Sequence, residues 1–339
     1  GVYNQEQELV EKDYDDIQEK SYSINADQGW FGITDKYWIT TLIPQDNRKF
    51  KSSFNYKDKF RINFIETDAT KVGANETKSS EIKILVAAKE VRVIDNYAKK
   101  LNIERLDLMI DWGILYFLTR PMWFALDYFY KLLGNYGFAI IAVTVCIRIL
   151  LFPIAQMSFR SMSRMKLLTP EIQRLKSTIK DKMELQRAMM ALYKREKVNP
   201  MSGCLPIVPM IFIFFSLYKV LFVTLDGRHE PFFLWIKDLS ERDPSSIFNL
   251  FGLIPWDPPT FLLIGAWPIL MGISMYIQQL LNPPMPDPVQ RRIFQFFPLV
   301  LTIILAPFPS GLVIYWTVNN VLQMAQQYLV LRKTKVKSA

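Results

Sequence analysis

The sequence predicts a membrane α-helical bundle of five transmembrane helices plus a cytoplasmic helical hairpin, after an N-terminal, mostly β, sandwich-like domain. Residues 1–115 are mildly acidic, with 17 basic and 20 acidic side chains, whereas 24 basic and 12 acidic side chains follow. Apolar stretches of membrane-spanning length begin only at Gly137. Because the two parts differ in both charge and hydropathy, the chain divides into a water-exposed domain and a membrane region.

Residues 1–100 have the pattern of a β domain. Short runs of β-branched and aromatic residues are separated by turn residues, as in a sheet protein. The predicted strands are 21–24, 37–43, 60–65 and 81–87. Turn residues are Gly29, Gly32, 44–47 and 73–75. The carboxylates here are scattered, so we interpret them as solvated faces.

Residues 101–136 change to a helical period with many aromatic residues. Trp112, Trp123 and Tyr130 lie on this pattern, and Arg120-Pro121 predicts a break in the helix. Such a segment is typical of an amphipathic helix at a membrane surface. A helix packed on the β domain remains the alternative.

Residues 137–331 predict a membrane core. A helix of 20 residues is about 30 Å long, which matches the hydrocarbon thickness of a bilayer. Five stretches have the required apolar content: 138–157, 204–225, 260–281, 293–308 and 312–331.

Charge predicts the orientation of these spans. The segment 158–199 has 11 basic and 4 acidic residues, 282–292 has two arginines, and the tail 332–339 has four basic residues. The opposite loop, 226–259, has 3 basic and 6 acidic residues. Basic loops face the cytoplasm, so the β domain and the loop 226–259 are expected outside.

The basic segment 158–199 predicts a helical hairpin. Thr169-Pro170 and Asp181-x-x-Glu184 have the form of helix starts. An apolar stripe at this spacing usually reflects mutual packing of the two helices. The net charge of +7 also favours contact with acidic lipid or ribosomal RNA.

Arg148 is the candidate functional residue, because it lies about ten residues from either end of the first predicted span. An arginine at the centre of a bilayer costs on the order of 3 kcal/mol unless it faces protein or water. None of the five predicted spans contains Asp or Glu. Arg148 is therefore suited to attracting acidic groups, although a purely structural role in locking the bundle remains open.

Polar residues on other spans predict a hydrated cavity around Arg148. Thr144 lies one turn above it, and two further helices carry polar faces at helical spacing. These faces comprise Trp316, Asn319 or Asn320, and Gln323 on the last span, and Ser274 and Gln278 on the third.

Metal, cofactor and enzyme functions are disfavoured. One histidine, His229, and two distant cysteines, Cys146 and Cys204, are too few for a zinc or iron–sulfur site. No glycine-rich phosphate loop and no nucleophile–base pair is visible. We expect no cofactor and no metal.

Several motifs resemble the YidC membrane protein insertases. They are Asn199-Pro200-Met201-Ser202-Gly203-Cys204-Leu205-Pro206; Pro231-Phe232 with Trp235-Ile236-Lys237-Asp238-Leu239 and Asp243-Pro244; and Phe308-Pro309-Ser310-Gly311-Leu312-Val313-Ile314-Tyr315-Trp316. With the arginine of the first span, the resemblance covers about residues 108–331. The preceding β region resembles the later part of the periplasmic domain of Gram-negative members.

The resemblance implies an insertase and chaperone of the bacterial inner membrane, working alone or with the Sec translocon. In this family a groove open to the cytoplasm and the lipid receives the hydrophilic part of a nascent membrane protein. The groove arginine corresponds to Arg148, and Thr144, Gln278, Trp316 and Asn320 are the positions expected to line it. The hairpin 158–199 is expected to receive substrate early, and DNA is not among the expected partners.

Two features depart from the family pattern. Residues 207–212 lack the Gln-x-Pro that often follows Cys-x-Pro, so a different helix bend or groove lining is expected there. The chain begins at Gly1 without methionine or the first membrane anchor, so we expect an N-terminally truncated chain.

Two other functions stay open. A solute transporter or channel would need a pore that five short spans hardly enclose, and the spans contain no carboxylate or histidine. The spans could also serve only as the anchor of a functional outer domain, for which five spans with a deep arginine are excessive.

Overall fold

The structure, a computed structural model, describes residues 1–4, 8–26, 29–44, 49–199, 205–256, 258–259, 262–282 and 288–336. The chain forms two compact units: residues 1–114 with 223–226, and residues 115–222 with 227–339. The first unit is rich in β-structure and the second is helical, which confirms the predicted order of a β domain followed by a helical region.

Eight described strands of the first unit form two antiparallel sheets. The strands are β1 Val2–Asn4, β2 Glu8–Val10, β3 Tyr22–Ala26, β4 Gly29–Thr34, β5 Trp38–Pro44, β6 Phe50–Lys57, β7 Lys59–Glu66 and β8 Ile82–Ala88. One sheet has the order β2-β1-β4-β5-β8 and the other β3-β6-β7. The rings of Phe31, Phe50 and Phe64 pack within 5.2–5.7 Å of one another between the sheets, so the unit is sandwich-like.

Helical elements complete this unit. They are α1 (Tyr14–Glu19), α2 (Val91–Leu101) and the 3-10 helix Leu106–Met109. The segment 104–109 packs on the larger sheet, where Trp30 Nε1 donates to the Glu104 carbonyl at 3.3 Å.

The four predicted strands are confirmed as β3, β5, β7 and β8, but the prediction of turns at Gly29 and Gly32 is wrong. Both glycines lie within β4. A Cβ added at Gly32 would collide with the Thr40 carbonyl of the neighbouring strand. Glycine is therefore used at this position for close backbone approach in a sheet and does not mark a turn.

The second unit is built from eight described α-helices and a short 3-10 helix, Leu250–Gly252. The α-helices are α3 Tyr116–Leu133, α4 Tyr136–Leu150, α5 Phe152–Thr178, α6 Lys182–Arg195, α7 Ile207–Val223, α8 Ala266–Leu281, α9 Pro288–Leu305 and α10 Ser310–Val336. Cys204 and Pro200, which belong to the motif before α7, lie outside the described residues.

No single described helix meets both the length and the hydropathy expected of a membrane span. The pair α4 and α5 meets both together, with a bend of 63° between them, and α7 is apolar but shorter. The five spans therefore stay a prediction.

The first predicted span, 138–157, is interrupted at Leu151. Pro153 lies in the first turn of α5, where a missing N–H costs no hydrogen bond. In a continuous helix the same proline would leave the Ile149 carbonyl without its partner, so the chain bends between α4 and α5.

Helix α3 does not break at Arg120-Pro121, contrary to the prediction, because Pro121 is accommodated inside the helix. One face of α3 is buried through Met122, Trp123 and Leu126, while Phe117 and Tyr128 are exposed on the other.

The hairpin is confirmed as two helices, α5 and α6, but the predicted helix start at Thr169-Pro170 is wrong. Helix α5 runs through Pro170, which is exposed, so water can satisfy the carbonyl that the ring leaves unpaired. The second start is confirmed, since the Asp181 side chain accepts a hydrogen bond from the Met183 N–H at 3.0 Å.

Contacts between α5 and α6 make the hairpin antiparallel. Ile172 of α5 packs with Leu192 and Tyr193 of α6, and Arg195 pairs with Glu171 at 2.7 Å. The apolar stripe is therefore used for mutual packing.

One loop holds the N-termini of three helices, and we call residues 230–246 the capping loop. At α4, Asn135 accepts from the Phe138 N–H and donates to the Pro231 and Phe232 carbonyls. At α10, the N–H groups of Ser310 and Gly311 donate to capping-loop carbonyls at 2.7 and 3.0 Å. Because the three N-termini meet one loop, α4, α8 and α10 point the same way.

The cap of α8 comes from a buried carboxylate far along the chain from the helix start. Asp243 accepts hydrogen bonds from the Trp267 N–H, the Trp235 indole and both donors of Ser245, all at 2.6–2.9 Å. Ser245 Oγ in turn accepts from the Ala266 N–H at 2.9 Å. Since Gly265 has no side chain to cap the helix, this remote carboxylate takes that role.

Asp238, another carboxyl of the capping loop, has a lowered pKa. Burial alone would raise the pKa of Asp238, but hydrogen bonds from Ser240 and the nearby His229 outweigh it and lower that pKa. A lowered pKa stabilises the folded loop at neutral pH, and this stabilisation is lost as the pH falls through the lowered value.

Replacing Asp243 tests the remote cap. Asp243→Ala leaves several buried donors without an acceptor, so we expect the free energy of unfolding to fall by about 3 kcal/mol. The free energy of unfolding of Asp243→Asn should lie between those of the wild type and of Asp243→Ala. The amide keeps one oxygen acceptor, so it can replace only part of the acceptor set. The measurement is reversible unfolding in mixed detergent micelles. Glu241→Ala, an exposed acid of the same loop, is the control, and equal stability of the two alanine variants would refute the cap.

Candidate functional site

Arg148 lies in the last turn of α4, next to the bend at Leu151, and its residue surface is only 4% exposed. A cation in the last helical turn is favoured by the partial negative charge of the helix C-terminus. The bend therefore places the end of a helix dipole, and not the middle of a continuous helix, beside this charge.

Neutral amide groups of α10 hold the guanidinium. Arg148 Nε donates to Asn319 Oδ1 at 2.6 Å, and Nη2 donates to the Asn319 carbonyl and to Gln323 Oε1, both at 2.9 Å. In return, Gln326 Nε2 donates to the Arg148 carbonyl at 3.1 Å. These bonds join α4 to α10 through one residue.

Part of the guanidinium remains available. Arginine has five N–H donors, and three of them are used in these bonds. Among the described residues, nothing accepts a hydrogen bond from the two N–H groups of Nη1. Guanidinium–carboxylate hydrogen bonds are charge-assisted and strong, so these two donors are chemically suited to an acidic group.

A narrow cleft lies beside Arg148, where α4, α5, α7 and α10 meet. It has room for about one water molecule. Arg148 and Gln326 are its polar lining, while Ile154, Pro206 and Met210 are among its apolar lining. The cleft brings α7 next to the charge, which the sequence did not predict.

The structure places Thr144 one turn above Arg148 and buries it. Its hydroxyl donates to the Ile140 carbonyl of its own helix at 2.7 Å. Thr144 thus lies on the predicted face, with its hydroxyl bonded within α4.

Asn320 binds α8 instead of α4. Its Nδ2 donates to Ser274 Oγ at 2.9 Å, and Ser274 donates to the Met271 carbonyl. The two adjacent asparagines of α10 therefore tie it to two different helices.

Trp316 and Gln278 are half-buried, and the hydrogen bonds of Arg148 and Asn320 described above go to neither of them. Trp316 packs edge-on against Phe214 of α7, with ring centroids 4.9 Å apart. Gln278 lies one turn after Ser274 on α8. Substrate contact by these residues, and by Thr144 and Asn320, stays a prediction.

Sequence reasoning missed Gln326 and did not separate Asn319 from Asn320. The signal was present, because residues 319, 323 and 326 recur at the i, i+4, i+7 spacing of one helix face. Asn319, Gln323 and Gln326, the three residues on this face, are the ones that hydrogen-bond to Arg148.

Comparison with known proteins gives a consistent result. Residues 128–338 match the family model described as 60Kd inner membrane protein, and residues 1–125 match the YidC periplasmic domain. The chain is 62% identical over 332 residues to "Membrane protein insertase YidC" of Pelagibacter ubique, covering 98% of this chain and 60% of that protein. The chain is 47% identical to the Brucella suis protein of the same name, and that match covers 91% of this chain and 51% of that protein.

A solved structure is also similar in fold. It is titled "Active YidC insertase crystal structure with the first transmembrane domain resolved", with a TM-score of 0.51 at 17% identity. The match covers 96% of this chain and 81% of that one. The chain spans about half to three fifths of the length of the curated relatives it matches.

A double-mutant cycle tests the tie between α4 and α10. Arg148→Leu, Asn319→Leu and the double variant should show a coupling of about 0.5–3 kcal/mol in the free energy of unfolding, since the two side chains bond directly. The control pair is Arg148 with Asn320, which bonds Ser274, and its effects should add to within about 0.5 kcal/mol. Equal coupling in both cycles would contradict the assigned geometry.

Proposed function

The chain belongs to the YidC family of membrane protein insertases, and from that membership we propose that it inserts nascent membrane proteins into the bacterial inner membrane. Members of this family are bacterial inner membrane proteins with a periplasmic domain. The observation that supports this function at residue level is the buried Arg148, bound by amides and with Nη1 still available.

The proposed mechanism uses Arg148 to attract acidic groups of the substrate. A polar segment entering a bilayer loses hydrogen bonds to water, and each unsatisfied group is costly. A guanidinium in the bundle, with Thr144, Gln278, Trp316 and Asn320 lining a groove, reduces that cost. Apolar segments of the substrate then move sideways into the lipid, and the mechanism requires no ATP from this chain.

The proposed topology places the capping loop outside the cytoplasm. Helices α4, α8 and α10 point the same way, as the first, third and fifth of five alternating spans must. The positive-inside rule then makes the hairpin 158–199 and the tail 332–339 cytoplasmic. The β unit and the capping loop are periplasmic in this arrangement.

The cytoplasmic hairpin is the proposed first contact for substrates and partners. Its net charge of +7 favours the ribosome and anionic lipids. Met183 and Met190 of α6 and Leu167 of α5 are exposed and apolar, which suits transient contact with a hydrophobic nascent segment. Cooperation with the Sec translocon is part of the same proposal.

Substitution of Arg148 tests the mechanism in liposomes containing the intact protein. Arg148→Ala should reduce insertion of a two-span substrate with an acidic translocated segment by about tenfold or more, as a charged hydrogen bond contributes about 1.5–3 kcal/mol. Arg148→Lys retains the charge but not the fork that binds Asn319 and Gln323, so we expect partial activity. Protease protection of the translocated segment is the readout.

Two controls make this experiment specific. Arg61→Ala removes an exposed charge from the β unit and should leave insertion unchanged. A substrate whose acidic residues are replaced by asparagine should lose its dependence on Arg148. Equal insertion by wild type and Arg148→Ala would refute the mechanism, and solute flux abolished by the same variant would support a transporter.

A further inference from the structure

The loop between α7 and α8 contains a short segment whose large apolar side chains are exposed. We call residues 247–256 the apolar segment. Leu250, Phe251, Leu253, Ile254 and Trp256 are each more than 40% exposed, and Leu253 reaches 83%. A contiguous apolar patch on a protein surface marks a site of contact with a membrane, a ligand or another protein.

Charge is distributed unequally along this loop. Residues 228–243 contain seven charged side chains, whereas residues 244–256 contain none. In a loop that is entirely surrounded by water, charged and apolar residues are expected to be interspersed, and here they are separated. The charged part includes the capping loop, which binds helix ends, and the apolar segment follows it directly.

The backbone of the apolar segment is already hydrogen-bonded within the protein. Residues 247–256 have nine backbone N–H groups, because Pro255 has none, and seven of them donate to protein acceptors. The donors are Ile247, Phe248, Leu250, Phe251, Leu253, Ile254 and Trp256. Backbone that enters a lipid environment must satisfy its polar groups internally, and this segment largely does so.

The segment is attached at the beginning of α8. The Ile247 N–H donates to the Ile264 carbonyl at 3.2 Å, two residues before the helix begins. Ser245, just before the segment, caps the Ala266 N–H. The segment therefore lies at the helix end where the outer boundary of the bilayer is proposed. Tryptophan, here Trp256, is enriched at that depth.

We propose that the apolar segment inserts into the headgroup region of the outer leaflet and anchors the capping loop to the membrane surface. The occupant of this surface is lipid, because residues 244–256 have no charge to pair with a protein. The next proposed span, 260–281, is separated from the segment by three residues, Asp257 and two prolines. The proposal rests on the membrane placement given under the proposed function. By anchoring the loop, lipid would fix the depth of the three helix ends that the capping loop holds.

Spin labelling tests the proposal with the full chain in phospholipid vesicles. The native cysteines are replaced by serine, and a nitroxide is attached at Leu253→Cys. Two reference positions are Glu241→Cys, exposed in the charged part of the same loop, and Leu299→Cys, exposed on α9 in a proposed span. Collision with oxygen reports lipid, and collision with a water-soluble nickel chelate reports water.

The label at 253 should favour oxygen over nickel and lie about 5–10 Å into the headgroup and acyl boundary, while the label at 241 should favour nickel. Two results would overturn the proposal, provided that the label at 299 reports lipid. In the first, the label at 253 collides with oxygen and nickel in the same ratio as the label at 241. In the second, protein shields the label at 253 from both reagents. If 299 also reports water, the proposed placement of the bundle in the membrane fails, so the two failures are distinguishable.

Discussion

The buried positive charge of Arg148, bound by neutral amides, constrains the helical unit. Arg148 has no acidic residue available in any predicted span, yet only 4% of its surface is exposed. Its charge is compensated by the dipoles of Asn319 and Gln323 and by the C-terminal end of α4. Replacing these amides by a carboxylate would neutralise the charge and remove its ability to attract acidic groups. The polar face of α10 therefore stabilises the arginine while leaving its charge available.

The capping loop provides the second constraint, at the opposite end of these helices. It accepts hydrogen bonds from backbone donors of α8 and α10 and from the Asn135 side chain that caps α4. Asp243 caps α8 although it lies more than twenty residues away in sequence. Helices whose ends share one loop keep a fixed register. Since Asn319 must reach Arg148 and Asn320 must reach Ser274, this register also keeps α10 bonded to two neighbours at once.

The sequence identified Arg148 because an arginine amid apolar residues is costly wherever it lies. It did not distinguish Asn319 from Asn320, because adjacent residues lie about 100° apart on a helix and periodicity alone does not show which one faces α4. The prolines likewise did not show from the sequence alone where a helix ends. Pro153 begins a new helix after a bend, whereas Pro121 and Pro170 lie inside helices. Packing and exposure decide between these outcomes, and neither is visible in the local sequence.

Photocrosslinking from the cleft beside Arg148 measures most directly whether this charge receives substrate. A benzophenone amino acid at Met210, which lines the cleft on α7, is compared with the same probe at Phe212, which is exposed on the same helix. We expect a ribosome-bound nascent chain with an acidic tail to crosslink at 210 and not at 212, and neutralising the tail should abolish the product. Equal crosslinking at both positions, or no effect of the acidic residues, would contradict a substrate-binding role for Arg148.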